Sequence, residues 1–137
     1  MPAAPRVLIV DDEAGIRESV GRGLERRGFL VETAATPSEA LAILRAIRPA
    51  VAIIDIRMPS SDPHLRTGLD LLAHLRSQPE FAELPVIVLT GYALTPEEEA
   101  AARDRRTVVL YKPVSLGAIV DQVVRAAESE AAPNRRS

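Results

Sequence analysis

Short apolar runs alternate with longer segments of helical pattern along the chain. Four runs are too short for a helix and rich in β-branched residues: 7–10, 51–56, 86–89 and 108–111. This pattern is typical of strands that are buried on both faces of a parallel sheet. A fifth run, 29–34, alternates apolar and polar residues and predicts an edge strand.

The segments between these runs carry helix signals. Thr36 with Pro37 and Glu39 predicts a capping box with proline at the first helical position, and Thr95 with Glu98 predicts another. The last apolar helical stripe predicts a helix over 115–128. The chain is therefore predicted to repeat a β-α unit five times, which gives an α/β fold with right-handed crossovers and a sheet covered on both sides.

The predicted elements also define the ends of the domain. Residues 1–6 predict a flexible N-terminus, 7–128 one globular domain and 129–137 a polar tail. Residues 58–67 form the one long predicted loop, directly after the third strand. Long loops in compact domains are more often functional or mobile than structural.

Composition and charge disfavour several classes of function. The 137 residues carry a net charge of -2, which disfavours direct binding to nucleic acid or to an acidic membrane surface. The chain has no cysteine, which excludes disulfides and thiolate chemistry and favours the cytoplasm. Only four consecutive apolar residues precede Asp11, which is too few for a signal peptide or a membrane span.

Polar residues that can do chemistry lie at the ends of the predicted strands: Asp11, Asp12, Asp55, Thr90 and Lys112. In an open α/β sheet the carboxyl ends of the strands form the crevice where ligands bind. Lys112 is also the only lysine among 17 basic residues, and a compact ammonium differs from a planar guanidinium at a phosphoryl group.

Three carboxylates in one crevice repel each other unless a cation neutralises them. Hard oxygen ligands that leave positions for water and a phosphate oxygen favour Mg²⁺. With a hydroxyl and an ammonium added, the group can hold a phosphoryl group, and an aspartate can act as the nucleophile that forms an aspartyl phosphate.

These motifs resemble the receiver domain of two-component response regulators. The resemblance rests on Asp11-Asp12, on Asp55 within Ile-Asp-Ile-Arg-Met-Pro, on Thr90-Gly91 and on Lys112-Pro113, and it covers about residues 7–128. It implies a flavodoxin-like (βα)5 sheet, doubly wound and parallel, with the strand order 2-1-3-4-5.

The resemblance also implies a role for each residue. Asp55 accepts a phosphoryl group from a histidine kinase or a phosphotransfer protein, and Thr90 and Lys112 bind the phosphoryl oxygens. Asp11, Asp12, Asp55 and the main-chain carbonyl of Arg57 hold Mg²⁺.

Two departures from the family pattern affect these expectations. The loop after Pro59 reaches its glycine, Gly68, about five residues later than in compact family members. Val109 stands where the family often has an aromatic residue, and Tyr111 is expected to point away from Lys112.

By the same resemblance, Arg57 and Tyr92 occupy the positions two residues after the phosphoacceptor and two residues after the switch threonine. Both side chains are large and are expected to limit the approach of water, which predicts slow self-dephosphorylation.

Three functions remain open from the sequence. The leading hypothesis is a phosphoacceptor switch. Its output would be a protein partner bound by the face of helix four, strand five and helix five, unless this chain is a fragment of a longer regulator or hybrid kinase. The first alternative is a Mg²⁺-dependent phosphatase with an aspartate nucleophile, although that class separates its two aspartates by one residue. The second is a receiver that serves as a docking module without phosphorylation.

Overall fold

The computed structural model describes residues 4–58, 62–91 and 93–131, and the side chains of these up to residue 128. The strands are β1 (Arg6–Val10), β2 (Leu30–Ala34), β3 (Val51–Asp55), β4 (Val86–Thr90) and β5 (Thr107–Tyr111). The helices are α1 (Ala14–Glu25), α2 (Pro37–Ile47), α3 (Gly68–Ser77), α4 (Pro96–Ala102) and α5 (Leu116–Ala131), with one 3₁₀ turn at Pro79–Phe81.

All five strands pair in parallel, in the order β2-β1-β3-β4-β5. This is the flavodoxin-like arrangement that the sequence predicts. Each strand is followed by a helix, so the predicted alternation of strands and helices is confirmed. The order places β1, β3 and β4 in the interior and leaves β2 and β5 at the edges.

The position of each strand explains its burial. Every residue of β3 and β4 is buried, as their unbroken apolar sequences predict. The prediction that β5 is buried on both faces is wrong: Val108 is 40% exposed and Tyr111 is 47% exposed. An edge strand has a neighbour on one side only, so β-branched composition alone does not guarantee burial.

Two apolar layers cover the sheet. One joins Leu8, Ile54 and Val88 to side chains of α2, α3 and the end of α4. The other joins Ile9, Ile53 and Leu89 to side chains of α1 and α5. Successive residues of one strand thus enter opposite layers, which fixes the register of every central strand.

Threonine side chains cap the N-termini of three of the helices. The hydroxyls of Thr36, Thr67 and Thr95 accept hydrogen bonds from backbone N–H groups three residues later. The capping box at Thr95 is complete, as predicted. The box at Thr36 is not, because the Glu39 carboxylate accepts from the N–H of Ala35 rather than from that of Thr36.

Helix α5 continues to Ala131, three residues beyond the end predicted from its apolar stripe. The last three residues of the helix, Ser129, Glu130 and Ala131, include no large apolar residue, so the apolar pattern stops before the helix does. The rest of the predicted tail, 132–137, and the first three residues lie outside the described residues. Within the described ranges, no helix is both long enough and apolar enough to cross a membrane.

Candidate functional site

The strand register brings the predicted site residues to one edge of the sheet. Val10 of β1 lies opposite Ile54 of β3, so Asp11 and Asp55, the residues that follow them, are neighbours. Asp55 in turn lies opposite Leu89 of β4, directly before Thr90. Thr90 lies opposite Tyr111, directly before Lys112, which extends the row across four strands.

The three aspartates form one carboxylate cluster. One carboxylate oxygen from each of Asp11, Asp12 and Asp55 lies within 4.8 Å of the others. Asp11 and Asp55 are buried, whereas Asp12 is exposed. The N–H of Glu13 donates to Oδ1 of Asp11 at 2.9 Å, and the N–H of Arg57 donates to Oδ1 of Asp55 at 3.3 Å.

Lys112 lies among these carboxylates. Its Nζ is 3.6 Å from Oδ2 of Asp55, 3.8 Å from Oδ2 of Asp11 and 3.8 Å from Oε1 of Glu13. A single ammonium therefore faces three negative charges, which it cannot fully neutralise. Thr90, at the end of β4, is fully buried, and its main-chain oxygen accepts from the N–H of Lys112 at 2.7 Å.

The donors of the cluster suit a hard divalent cation. Oδ2 of Asp11 is buried and accepts no hydrogen bond from the described residues. A buried carboxylate oxygen that accepts no hydrogen bond destabilises the fold unless a bound cation lies against it. Because the three donors are carboxylate oxygens and one of the aspartates is exposed, Mg²⁺ fits better than a metal that prefers thiolate or imidazole ligands.

Burial raises the pKa of the Asp11 carboxyl to about 6, and the Asp55 charge acts in the same direction. The N–H of Glu13 and the Lys112 ammonium partly oppose this rise. Burial also raises the pKa of Asp55, against the opposing effects of the Lys112 ammonium and the Arg57 N–H. The carboxylates therefore hold protons more tightly in the folded protein than in the unfolded chain.

We expect Mg²⁺ and protons to compete for this cluster. Well above pH 6 Asp11 is ionised and its proton no longer competes, and below pH 6 the Mg²⁺ affinity should fall by about tenfold per pH unit for each proton that must leave the cluster. The shift in melting temperature caused by Mg²⁺, measured from pH 4.5 to 8, checks this. An affinity that does not change across this range contradicts the assignment.

In the metal-free protein, the same shift makes the contribution of Asp11 to stability smaller as the pH rises. Between the unfolded pKa of 3.8 and the folded value of about 6, the folded state holds a proton on Asp11 that the unfolded chain has lost. The contribution of Asp11 to stability is therefore fully present below this window and declines through it as the pH rises. In Asp11→Asn, unfolded by urea in the presence of EDTA, this decline should be smaller than in the wild type.

Gly68 lets α3 begin directly against the end of β3. A methyl group at Gly68 would overlap the main-chain oxygen of Asp55, and it would lie 2.8 Å from Cγ2 of Ile54. The N–H of Gly68 donates to the main-chain oxygen of Ile56 at 2.9 Å. The backbone on which the Asp55 side chain depends is thus held by a contact that only glycine permits.

We expect Gly68→Ala to lower the free energy of unfolding by roughly 1–3 kcal/mol, because the overlapping atoms are backbone and cannot turn aside. Urea unfolding measures this change. Gly15→Ala is the matched control, because a methyl group there meets nothing within 4 Å. The control should be neutral or slightly stabilising, since alanine favours a helix over glycine. Equal effects of the two substitutions would show that the contact at Gly68 is not tight.

Several groups near the site are not predicted by the sequence. Nη1 of Arg17 donates to the main-chain oxygen of Asp11 at 2.7 Å, and Glu13 adds its carboxylate beside Lys112. Both could be suspected, because Glu13 is the N-cap residue of α1 and Arg17 lies in its first turn, close to Asp11 along the chain. Glu98, for which the sequence predicts a place in the capping box at Thr95, also pairs with Arg57 at 3.3 Å. That contact spans 41 residues, so no local pattern indicates it.

The long predicted loop is partly fixed against α2. Oδ2 of Asp62 accepts from the Ser38 hydroxyl at 3.1 Å, and Leu65 is buried. Residues 59–61 and Tyr92 lie outside the described residues. The expected position of Tyr92 at the mouth of the site therefore stays a prediction.

The comparisons with known proteins agree with this geometry. The family model of the response regulator receiver domain matches residues 7–124. The chain belongs to this family, a class of phosphoacceptor signalling domains that pair with histidine kinases or phosphotransfer proteins. It carries the three-carboxylate cluster at which receiver domains bind Mg²⁺.

Two curated relatives are longer than this chain. It is 34% identical over 128 residues to the C4-dicarboxylate transport transcriptional regulatory protein DctD of Rhizobium meliloti, covering 93% of this chain and 26% of that protein. It is 31% identical over 123 residues to the photosynthetic apparatus regulatory protein RegA of Cereibacter sphaeroides, covering 90% of this chain and 63% of RegA. The chain thus spans less than two thirds of either relative.

Solved structures of similar length share the fold. A CheY-like receiver domain protein of Methanospirillum hungatei matches with a TM-score of 0.83 and 26% identity, covering 96% of this chain and 99% of that one. The chemotaxis protein CheY4 of Vibrio cholerae matches with a TM-score of 0.78 and 32% identity, covering 90% of this chain and 99% of that one.

Proposed function

We propose that the chain is a phosphoacceptor switch of a two-component phosphorelay. It takes a phosphoryl group from the phosphohistidine of a histidine kinase or phosphotransfer protein onto Asp55 and signals through protein–protein contacts. The observation that carries the proposal is the position of the Lys112 ammonium, 3.6 Å from the Asp55 carboxylate within a cluster of three carboxylates. An ammonium and a cation site beside one aspartate suit the transfer of a dianionic group.

Each residue has a proposed role in the transfer. Asp11, Asp12, Asp55 and the carbonyl of Arg57 would hold Mg²⁺, which when bound neutralises charge on the incoming phosphoryl group. An oxygen of the ionised Asp55 carboxylate attacks phosphorus, the phosphorus–nitrogen bond of the donor breaks, and its electron pair remains with the imidazole. Lys112 and the Thr90 hydroxyl bind phosphoryl oxygens and orient them.

The proposal is tested by incubation with acetyl phosphate, a small phosphodonor, followed by intact mass measurement. With Mg²⁺ the chain should gain one phosphoryl group, and with EDTA it should gain none. Hydroxylamine, which cleaves acyl phosphates, should remove the group. Sustained phosphate release from a phosphomonoester would instead support the phosphatase, and no incorporation under any condition would support the docking receiver.

We place the output on the face formed by α4, β5 and α5. The exposed side chains of Val108 and Tyr111 on the edge strand support this choice, because they offer apolar area to a protein partner. The net charge of -2 disfavours direct binding to nucleic acid. A cytoplasmic location is part of the proposal, in keeping with the absence of cysteine.

We also propose that the chain dephosphorylates itself slowly, because Arg57 and Tyr92 restrict the approach of water. Arg57→Ala combined with Tyr92→Ala should speed phosphate release by about tenfold, which equals about 1.4 kcal/mol of barrier. Loss of the phosphoryl mass over time measures the rate. Arg66→Ala, at an exposed position of the long loop, is the control and should leave the rate unchanged. An unchanged or slower rate in the double variant contradicts the proposal.

A further inference from the structure

One ion pair connects the backbone of the candidate site to the start of α4. Nη2 of Arg57 lies 3.3 Å from Oε1 of Glu98, and the same oxygen accepts the N–H of Thr95 at 3.0 Å. Arg57 follows Asp55 by two residues, and its own N–H donates to the Asp55 carboxylate. The guanidinium thus joins the backbone beside the candidate phosphoacceptor to the capping box of α4.

We propose that this Arg57–Glu98 pair is a latch that holds the N-terminal end of α4 in the unphosphorylated protein. A phosphoryl group on Asp55 draws Arg57 away from Glu98, and the end of α4 is released. The release step rests on the proposed function, since it requires the phosphoryl group on Asp55.

The charges favour the exchange of partners. Glu98 offers Arg57 one negative charge, whereas a phosphoryl group offers nearly two charges and three acceptor oxygens. The side chains of Arg57 and Glu98 are 41% and 22% exposed, so the solvent weakens their attraction. A weak pair near a stronger competing anion can open without large rearrangement.

The two ends of α4 are held differently, so that loss of the Arg57–Glu98 pair would affect mainly the N-terminal end. Of its seven residues, all described, Ala102 at the C-terminal end is the one that is buried. Just beyond that end, Asp104 pairs with Arg76 at 3.1 Å and accepts the Thr107 hydroxyl at 2.9 Å. The C-terminal end is therefore anchored, and the N-terminal end depends more on the latch.

Amide hydrogen exchange over residues 98–102 of the full chain tests the latch without any phosphoryl group. Arg57→Gln and Glu98→Gln should each speed exchange by about threefold, the size expected for one exposed ion pair. Arg57→Gln keeps the main-chain carbonyl and leaves the capping box at Thr95 intact. The double variant should exchange no faster than the faster single variant, because the Arg57–Glu98 interaction is lost in all three variants.

Glu99→Gln is the matched control. It removes the same charge from the same helical turn, but Glu99 pairs with the exposed Arg103 at 3.7 Å rather than with Arg57. Its exchange should rise by less than that of Glu98→Gln, because the partners of its ion pair are 77% and 52% exposed and attract each other more weakly. Equal acceleration in Glu99→Gln and Glu98→Gln, or wild-type exchange in Arg57→Gln, would overturn the latch.

Beryllofluoride with Mg²⁺, an analogue of the phosphoryl group, tests the release. It should raise exchange over 98–102 in the wild type to the level of Arg57→Gln and should add little in Glu98→Gln. Fluorine NMR reports binding separately. Absence of binding contradicts the proposed function and with it the release step, while the variants in the free protein still decide whether the latch exists. Binding without faster exchange overturns the release step alone.

Discussion

Asp55→Asn should abolish phosphoryl incorporation. An amide oxygen is a poor nucleophile and carries no charge with which to help bind Mg²⁺, so this one substitution removes both the attacking group and a proposed ligand. The fold should survive, because asparagine has nearly the same shape as aspartate. Burial and the Asp12 charge both raise the pKa of Asp55, so loss of the Asp55 charge removes a desolvation cost and a repulsion. Intact mass after incubation with acetyl phosphate and Mg²⁺ measures the effect.

Asp121→Asn is the control for the loss of one carboxylate, since Asp121 is exposed on α5, away from the cluster. It should incorporate one phosphoryl group at the wild-type rate. If Asp55→Asn gains the same mass at the same rate as Asp121→Asn, the phosphoacceptor is another residue. Circular dichroism of both variants should match that of the wild type, which separates loss of chemistry from loss of fold.

The fold could be predicted from the sequence because its signals are local and repeated. Apolar runs of strand length, threonine caps and helical stripes each specify an element within a few residues, and parallel connection rules then leave few arrangements. The ends of the buried strands could be predicted in the same way. This is why the amino-acid sequence alone is enough to place Asp11, Asp55, Thr90 and Lys112 at one edge of the sheet.

The parts that could not be predicted depend on contacts between distant segments. The exposure of β5 follows from its place at the sheet edge, and its apolar sequence gives no sign of that. The close approach of Gly68 to Asp55 depends on how α3 meets β3, and the Arg57–Glu98 pair depends on where α4 begins. Each of these features arises when separate elements pack together, and local propensity does not contain it.

Lys112→Arg should impair phosphoryl transfer although it keeps the positive charge. In the wild type, Nζ lies 3.6–3.8 Å from oxygens of Asp11, Glu13 and Asp55, so one compact charge serves all three. The side chain is 24% exposed, which leaves limited room for the wider planar guanidinium. A forked group would pair with one carboxylate side-on and leave the position that a phosphoryl oxygen needs.

The expected loss is at least about tenfold in the rate of incorporation, equal to about 1.4 kcal/mol of transition-state stabilisation. Arg45→Lys, a reciprocal exchange at an exposed position of α2, is the control and should leave the rate unchanged. Lys112→Ala completes the comparison, because it removes the charge as well as the shape. If Lys112→Arg matches the wild type while Lys112→Ala is slow, charge alone is required at this position. If Lys112→Arg is as slow as Lys112→Ala, the compact ammonium itself is required, and the retention of a single lysine among 17 basic residues has a physical reason.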